Sequence, residues 1–157
     1  MTNPPIAYKL SSESADPMPR AYPDSSRPAA ELAARTALVV DDEPLIRWSV
    51  SETLADLGLE VEQAVDGASA IRAITGAETA FDVVVLDLRL PDVSDLSLLR
   101  HIRAVLPASR VVLMTAFGTA EIVAAAHGLG VIAVLNKPFA LEDLGRLLVP
   151  AGGTPLA

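Results

Sequence analysis

Asp41 and Asp42 are adjacent carboxylates that follow the apolar run ALVV at 37–40. A third carboxylate, Asp87, follows VVVL at 83–86. Thr115 follows VVLM at 111–114, and Asn136, Lys137 and Pro138 follow VIAVL at 131–135. Each polar group stands where an apolar run stops. An unpaired charge inside a core is costly, so these groups are expected at the mouth of a sheet rather than within it. Two carboxylates ~4 Å apart repel by about 4 kcal/mol at an effective dielectric of about 20. Three stay ionised only beside positive charge. Lys137 supplies one such charge. A hard divalent cation would supply more, and Mg²⁺ favours one or two carboxylates with water and phosphate oxygens. A carboxylate can also attack phosphorus and form an acyl phosphate. A cation and Lys137 would neutralise the oxygens of the transferring phosphoryl group, and the Thr115 hydroxyl would donate a hydrogen bond to it.

The elements that must bring these groups together are legible from periodicity. The four apolar runs read as buried strands, and 59–65 (LEVEQAV) alternates as an edge strand does. Helical spacing fills the gaps. Ile46, Val50, Leu54 and Leu57 share a face after Pro44, and Ala68, Ile71 and Ile74 share another. Leu99, Ile102 and Leu106 make a third face, stopped by Pro107. Residues 119–127 form an Ala-rich fourth helix, and Leu141, Leu144 and Leu148 mark a fifth. Five strands alternating with five helices predict an α/β fold, a doubly wound parallel sheet covered on both faces. In such sheets chemistry sits beyond the carboxyl ends of the strands. GLGVIA at 128–133 runs from a helix into a strand, the reverse of a dinucleotide fingerprint, and is rejected as one. His101 and His127 are expected in surface or packing roles, and Trp48 is expected to cover a helix face.

Composition sets the outer bounds. A chain of 157 residues suits one domain with tails, and 51% hydrophobic content provides its core. There is no Cys, which excludes disulfides, thiolate metal sites and Cys nucleophiles. No apolar run reaches the ~18–20 residues of a membrane helix, and MTNPPIAYKL lacks the basic-then-apolar pattern of a secretory signal. A cytoplasmic protein without a membrane partner is the expectation. The net charge of −8 argues against direct nucleic-acid binding. Acids and bases cancel in residues 1–35, so the excess acid lies beyond them. Residues 1–35 are rich in Pro and Ser and are expected to be a disordered tail. Residues 36–149 are the expected domain, and 150–157 a flexible end.

VVDDE at 39–43, VVVLDLRLPD at 83–92, MTAFG at 114–118 and NKPF at 136–139 resemble the receiver domain of two-component response regulators. The resemblance covers about residues 36–149. It implies the CheY-like, flavodoxin-like fold with five strands in the order 2-1-3-4-5. It implies Asp87 as the phosphoacceptor. The implied Mg²⁺ ligands are Asp42 and Asp87 directly, Asp41 through water, and the backbone carbonyl of Arg89. Thr115 is the implied switch hydroxyl, and Lys137 the implied partner of Asp87 or its phosphoryl group. The bond before Pro138 is expected to be cis. Arg89 and Phe117 flank the site. The phosphoryl donor is expected to be a phosphohistidine on a sensor histidine kinase or a histidine phosphotransfer protein. The expected output face is the fourth helix, fifth strand and fifth helix, bound to an unspecified protein. A homodimer stays open.

The chain also departs from that pattern. Val134 stands where the family has Tyr or Phe, so the usual aromatic readout is missing. Asp95 stands where the loop after Asp87 has Gly, and a left-handed backbone is expected there. The chain is expected to act as a single-domain regulator through partner binding, and not as an enzyme beyond its own phosphotransfer and autodephosphorylation. Two alternatives are a pseudo-receiver scaffold and an aspartyl phosphohydrolase similar to the haloacid dehalogenase group. The second needs an acid–base Asp where Arg89 stands.

Overall fold

Apolar runs become strands here because both their faces are covered. The computed structural model describes residues 35–149, so the expected tails at 1–34 and 150–157 lie outside the described residues. The strands are β1 (Thr36–Val40), β2 (Glu60–Ala64), β3 (Val83–Asp87), β4 (Arg110–Thr115) and β5 (Ala133–Asn136). The helices are α1 (Pro44–Asp56), α2 (Gly67–Gly76), α3 (Ser97–Val105), α4 (Ala120–Gly128) and α5 (Leu141–Leu148). All strand pairs are parallel, in the order β2-β1-β3-β4-β5. This is the expected doubly wound sheet. The alternating strand β2 is an edge, as its pattern requires.

Successive strand residues enter opposite cores. Leu38, Val40, Val84, Leu86, Val111 and Leu113 pack towards α2, α3 and α4. Ala37, Val39, Val83, Val85, Val112 and Met114 pack towards α1 and α5. Val50 and Leu54 of α1, and Leu144 and Leu148 of α5, are fully buried in that second core. Among the described residues, no helix is long and apolar enough to cross a membrane.

Two expectations fail in detail. The buried side of α2 is Ala70 with Ala73 and Ile74, whereas Ala68 and Ile71 are exposed. Large side chains drew the expected face, but alanine allows the helix to lie close to β1 and β2. The fifth strand begins at Ala133 rather than at 131. Val112 is the first β4 residue paired in register, and its partner is Ala133. Val131 is still buried in the core, while Ile132 is exposed. Trp48 on α1 is 58% exposed.

The two isoleucines test this assignment. Ile102 is fully buried and Ile71 is 39% exposed. Ile102→Ala is expected to cost about 2–5 kcal/mol in a denaturant titration. Ile71→Ala is expected to stay within about 0.5 kcal/mol of wild type.

Candidate functional site

Strand parity decides which polar groups can meet. Val39, Val85 and Leu135 all belong to the core under α1 and α5. Continuing that alternation past each strand end brings Asp41, Asp87 and Lys137 over the same face. Their side chains do meet there. Lys137 Nζ lies 2.8 Å from Asp41 Oδ2 and 3.0 Å from Asp87 Oδ2. Asp41 is fully buried and Asp87 is 5% exposed. The Lys137 backbone N–H donates to the Thr115 carbonyl oxygen at 2.8 Å, and the Lys137–Pro138 peptide is cis.

Thr115 has the opposite parity, that of Val111 and Leu113. It is fully buried, and its Oγ1 accepts the Phe117 N–H at 3.1 Å. Gly118 lets this loop fold back. A Cβ there would stand 2.7 Å from Asn136 Oδ1 and 3.0 Å from Thr115 Cγ2. Asp87 is served in the same way, with its Oδ1 accepting the Arg89 N–H at 3.1 Å. The two residues that return these N–H groups also touch. The Arg89 guanidinium lies 4.8 Å from the centre of the Phe117 ring. This cation–π contact joins the loops after β3 and β4.

The acids that lie closest together include Glu43, which was not among the expected ligands. Carboxylate oxygens of Asp41, Glu43 and Asp87 lie within 4.8 Å of one another. Asp42 is exposed and stands outside that group. The chain bends at Asp42, between the two acids that meet. Glu43 Oε1 lies 3.5 Å from Lys137 Nζ, and its backbone N–H donates to Asp41 Oδ1 at 2.8 Å. The missed signal was the spacing of two between the acids. Arg47 also went unremarked. It donates to the Asp41 carbonyl oxygen at 2.8 Å and to Gln63 Oε1 at 3.1 Å, which ties the turn to α1 and β2. Asp95 needs no left-handed backbone, because no described non-glycine residue has positive φ. Its carboxylate instead accepts the Ser97 N–H at 2.9 Å. Val134 sits mid-strand in β5, half-buried and paired with Leu113.

Three hard oxygen donors around a buried carboxylate suit a Mg²⁺ ion, and one cation already fits among them. Burial pushes the Asp87 carboxyl above its ordinary value, and the nearby Asp41 charge adds to this. Hydrogen bonds from Lys137 and the Arg89 N–H oppose it without cancelling it. Burial alone would lower Lys137, but its bonds to Asp41 and Asp87 prevail and leave it raised.

These shifts fix the sign of two stability effects. A carboxyl that holds its proton more tightly when folded favours the fold below its unfolded value of 3.8. That contribution is lost as pH rises through the folded value, so ionised Asp87 costs stability at neutral pH. Asp87→Asn is expected to raise the Tm by a few degrees at pH 7 and by nothing below about pH 4. Lys137→Met strands two buried carboxylates and is expected to cost about 3–5 kcal/mol at pH 7. That loss shrinks in acid as Asp87 takes up its proton. Thermal melts across pH check both.

The comparisons agree with this geometry. The response regulator receiver domain model matches residues 37–148. The probable transcriptional regulatory protein TcrX of Mycobacterium tuberculosis is 40% identical over 109 residues, 69% of this chain and 46% of that protein. The response regulator protein PilR of Pseudomonas aeruginosa is 35% identical over 116 residues, 74% of this chain and 25% of that protein. The chain thus spans less than half the length of these two relatives. The chemotaxis response regulator CheY4 of Vibrio cholerae superposes with a TM-score of 0.66 at 31% identity, over 74% of this chain and 97% of that one. On the family match and the sheet order, the chain belongs to the receiver domain family of response regulators.

Proposed function

We propose that this chain takes a phosphoryl group onto Asp87 from a phosphohistidine donor in the cytoplasm and signals by changing what it binds. The observation that carries this reading is the buried Asp87 carboxylate, held 3.0 Å from Lys137 at the carboxyl edge of the sheet. An Asp87 oxygen attacks phosphorus, the P–N bond breaks, and its electron pair returns to the imidazole nitrogen. The product is an acyl phosphate, and water later releases inorganic phosphate and restores the carboxylate. Lys137 neutralises charge on the transferring group while staying bound to Asp41. The Thr115 hydroxyl donates to no acceptor among the described residues, so its proton is available to a phosphoryl oxygen. Receiver domains bind Mg²⁺ at an acidic cluster. Here Asp41, Asp42, Asp87 and the Arg89 carbonyl are the proposed ligands, with Glu43 beside them. The ion would supply positive charge to the phosphoryl oxygens.

Receiver domains engage histidine kinases or phosphotransfer proteins. We assign donor docking to a groove of about 260 Å³ that runs from Lys137 and Phe139 to Leu45 and Ser49 of α1. It borders the site through Lys137, and Leu45 is 72% exposed on its rim. The proposed output face is α4, β5 and α5, which flanks Thr115 and Val134. Residues 36–149 are the proposed functional module.

Intact mass after incubation with a small-molecule phosphodonor is the test. One phosphoryl group is expected only with Mg²⁺ and only when Asp87 is present. No adduct on wild type, together with no response to beryllofluoride, would leave a scaffold that is not switched by phosphorylation. Leu45→Arg is expected to slow transfer from a phosphohistidine protein at least tenfold and leave the small-molecule reaction unchanged. Beryllofluoride is expected to alter amide exchange across 116–149, and an unchanged pattern there would remove the output face.

A further inference from the structure

The loop after β3 is tied down by a residue outside the acidic group. Asp92 lies in the turn closed by the Leu90 N–H and the Val93 carbonyl oxygen, 2.8 Å apart. Its Oδ1 accepts the Gly67 N–H at 2.8 Å, and its Oδ2 accepts the Ala68 N–H at 2.9 Å. These are the first two N–H groups of α2, which no partner within the helix can satisfy. The third, that of Ser69, goes to Asp66 in a capping box. One helix start is thus capped twice, once by its own chain and once by a carboxylate 24–25 positions away.

The approach is close enough to constrain the sequence. A Cβ on Gly67 would stand 2.8 Å from Val93 Cγ2 and 3.3 Å from both Asp92 carboxylate oxygens. The loop is therefore pinned at two points. Leu88 donates its N–H to the Met114 carbonyl oxygen at 2.9 Å, and Asp92 holds α2. Arg89 lies between these pins. Its N–H serves Asp87, its side chain stacks on Phe117, and its carbonyl is the proposed metal ligand.

We infer that Asp92 is a positioning residue, and that its grip on α2 holds the Arg89 backbone in place for the metal and for Asp87. This rests on the proposed Mg²⁺ site. Charge-assisted bonds to paired N–H groups fix both distance and orientation. An outer-shell partner of this kind typically changes metal affinity by about 10–100-fold when removed.

The experiment compares wild type, Asp92→Ala, Asp92→Asn and Ser69→Ala. Mg²⁺ affinity is read by calorimetry, and amide exchange is read across residues 88–93 without metal. Ser69→Ala weakens the same helix start from its own side and leaves the loop tie intact. Asp92→Ala is expected to weaken Mg²⁺ about tenfold and to speed exchange at Arg89. Asp92→Asn, with one acceptor oxygen in place of two, is expected to fall between it and wild type, and it serves if the alanine variant fails to fold. Ser69→Ala is expected to change Mg²⁺ affinity less than about twofold, since it spares the outer-shell tie. Equal losses in Ser69→Ala and Asp92→Ala would reduce Asp92 to a helix cap and overturn the inference. Wild-type affinity in both Asp92 variants would overturn it as well. If wild type binds no Mg²⁺, the proposed site falls, and exchange at Arg89 then decides the tie by itself.

Discussion

One ammonium shared by two buried carboxylates is the interaction around which the strand edge is built. Asp41 and Asp87 come from adjacent central strands, while Lys137 comes from a strand separated from β3 by β4. The Lys137 side chain must therefore cross the end of β4. It can do so because β4 ends in Thr115, whose parity sends it to the opposite face. The β4 residue on the Lys137 face is Met114, fully buried one position earlier. A single register thus clears a path for the lysine and leaves a hydroxyl on the far side.

The charges there do not balance. Asp41, Glu43 and Asp87 crowd one lysine, and the Asp87 carboxyl is pushed up by burial. Such a group is costly to the fold, and that cost is what suits it to a ligand. A carboxylate that is fully compensated gains nothing from a further cation or from bonding to phosphorus. The stability cost and the proposed reactivity are two readings of one incomplete pairing.

The sequence made the fold and the strand-edge residues legible because both depend on local pattern. Apolar runs ended at polar residues, and parallel crossovers brought those ends to one edge. What escaped it depended on small residues or on contacts between distant loops. Ala70 and Ala73 were outweighed by Ile71, although it is alanine that permits close packing. Glu43 drew no notice beside the Asp41–Asp42 pair, because adjacency is more conspicuous than a spacing of two. Asp92 drew no role of its own, and its bonds to Gly67 and Ala68 have no signature in either segment alone. Arg89 and Phe117 each flanked a site residue, but their mutual stacking needed two loops placed side by side.

Val134 limits how a change at Thr115 can travel. It has no ring to swing, and it packs against the same core as Ile122 and Ala126 on the α4 side of the sheet. Thr115 shares that side, and its loop runs through Gly118 to Thr119, whose side chain caps α4. Gly118 is wedged against both Thr115 and Asn136. Under the proposed role, a Thr115 hydroxyl drawn towards a phosphoryl group would move against this wedge. The displacement would reach α4 through the backbone that caps it and β5 through Asn136. Under that role the path from site to surface would run along packed backbone, which a valine at 134 would not interrupt.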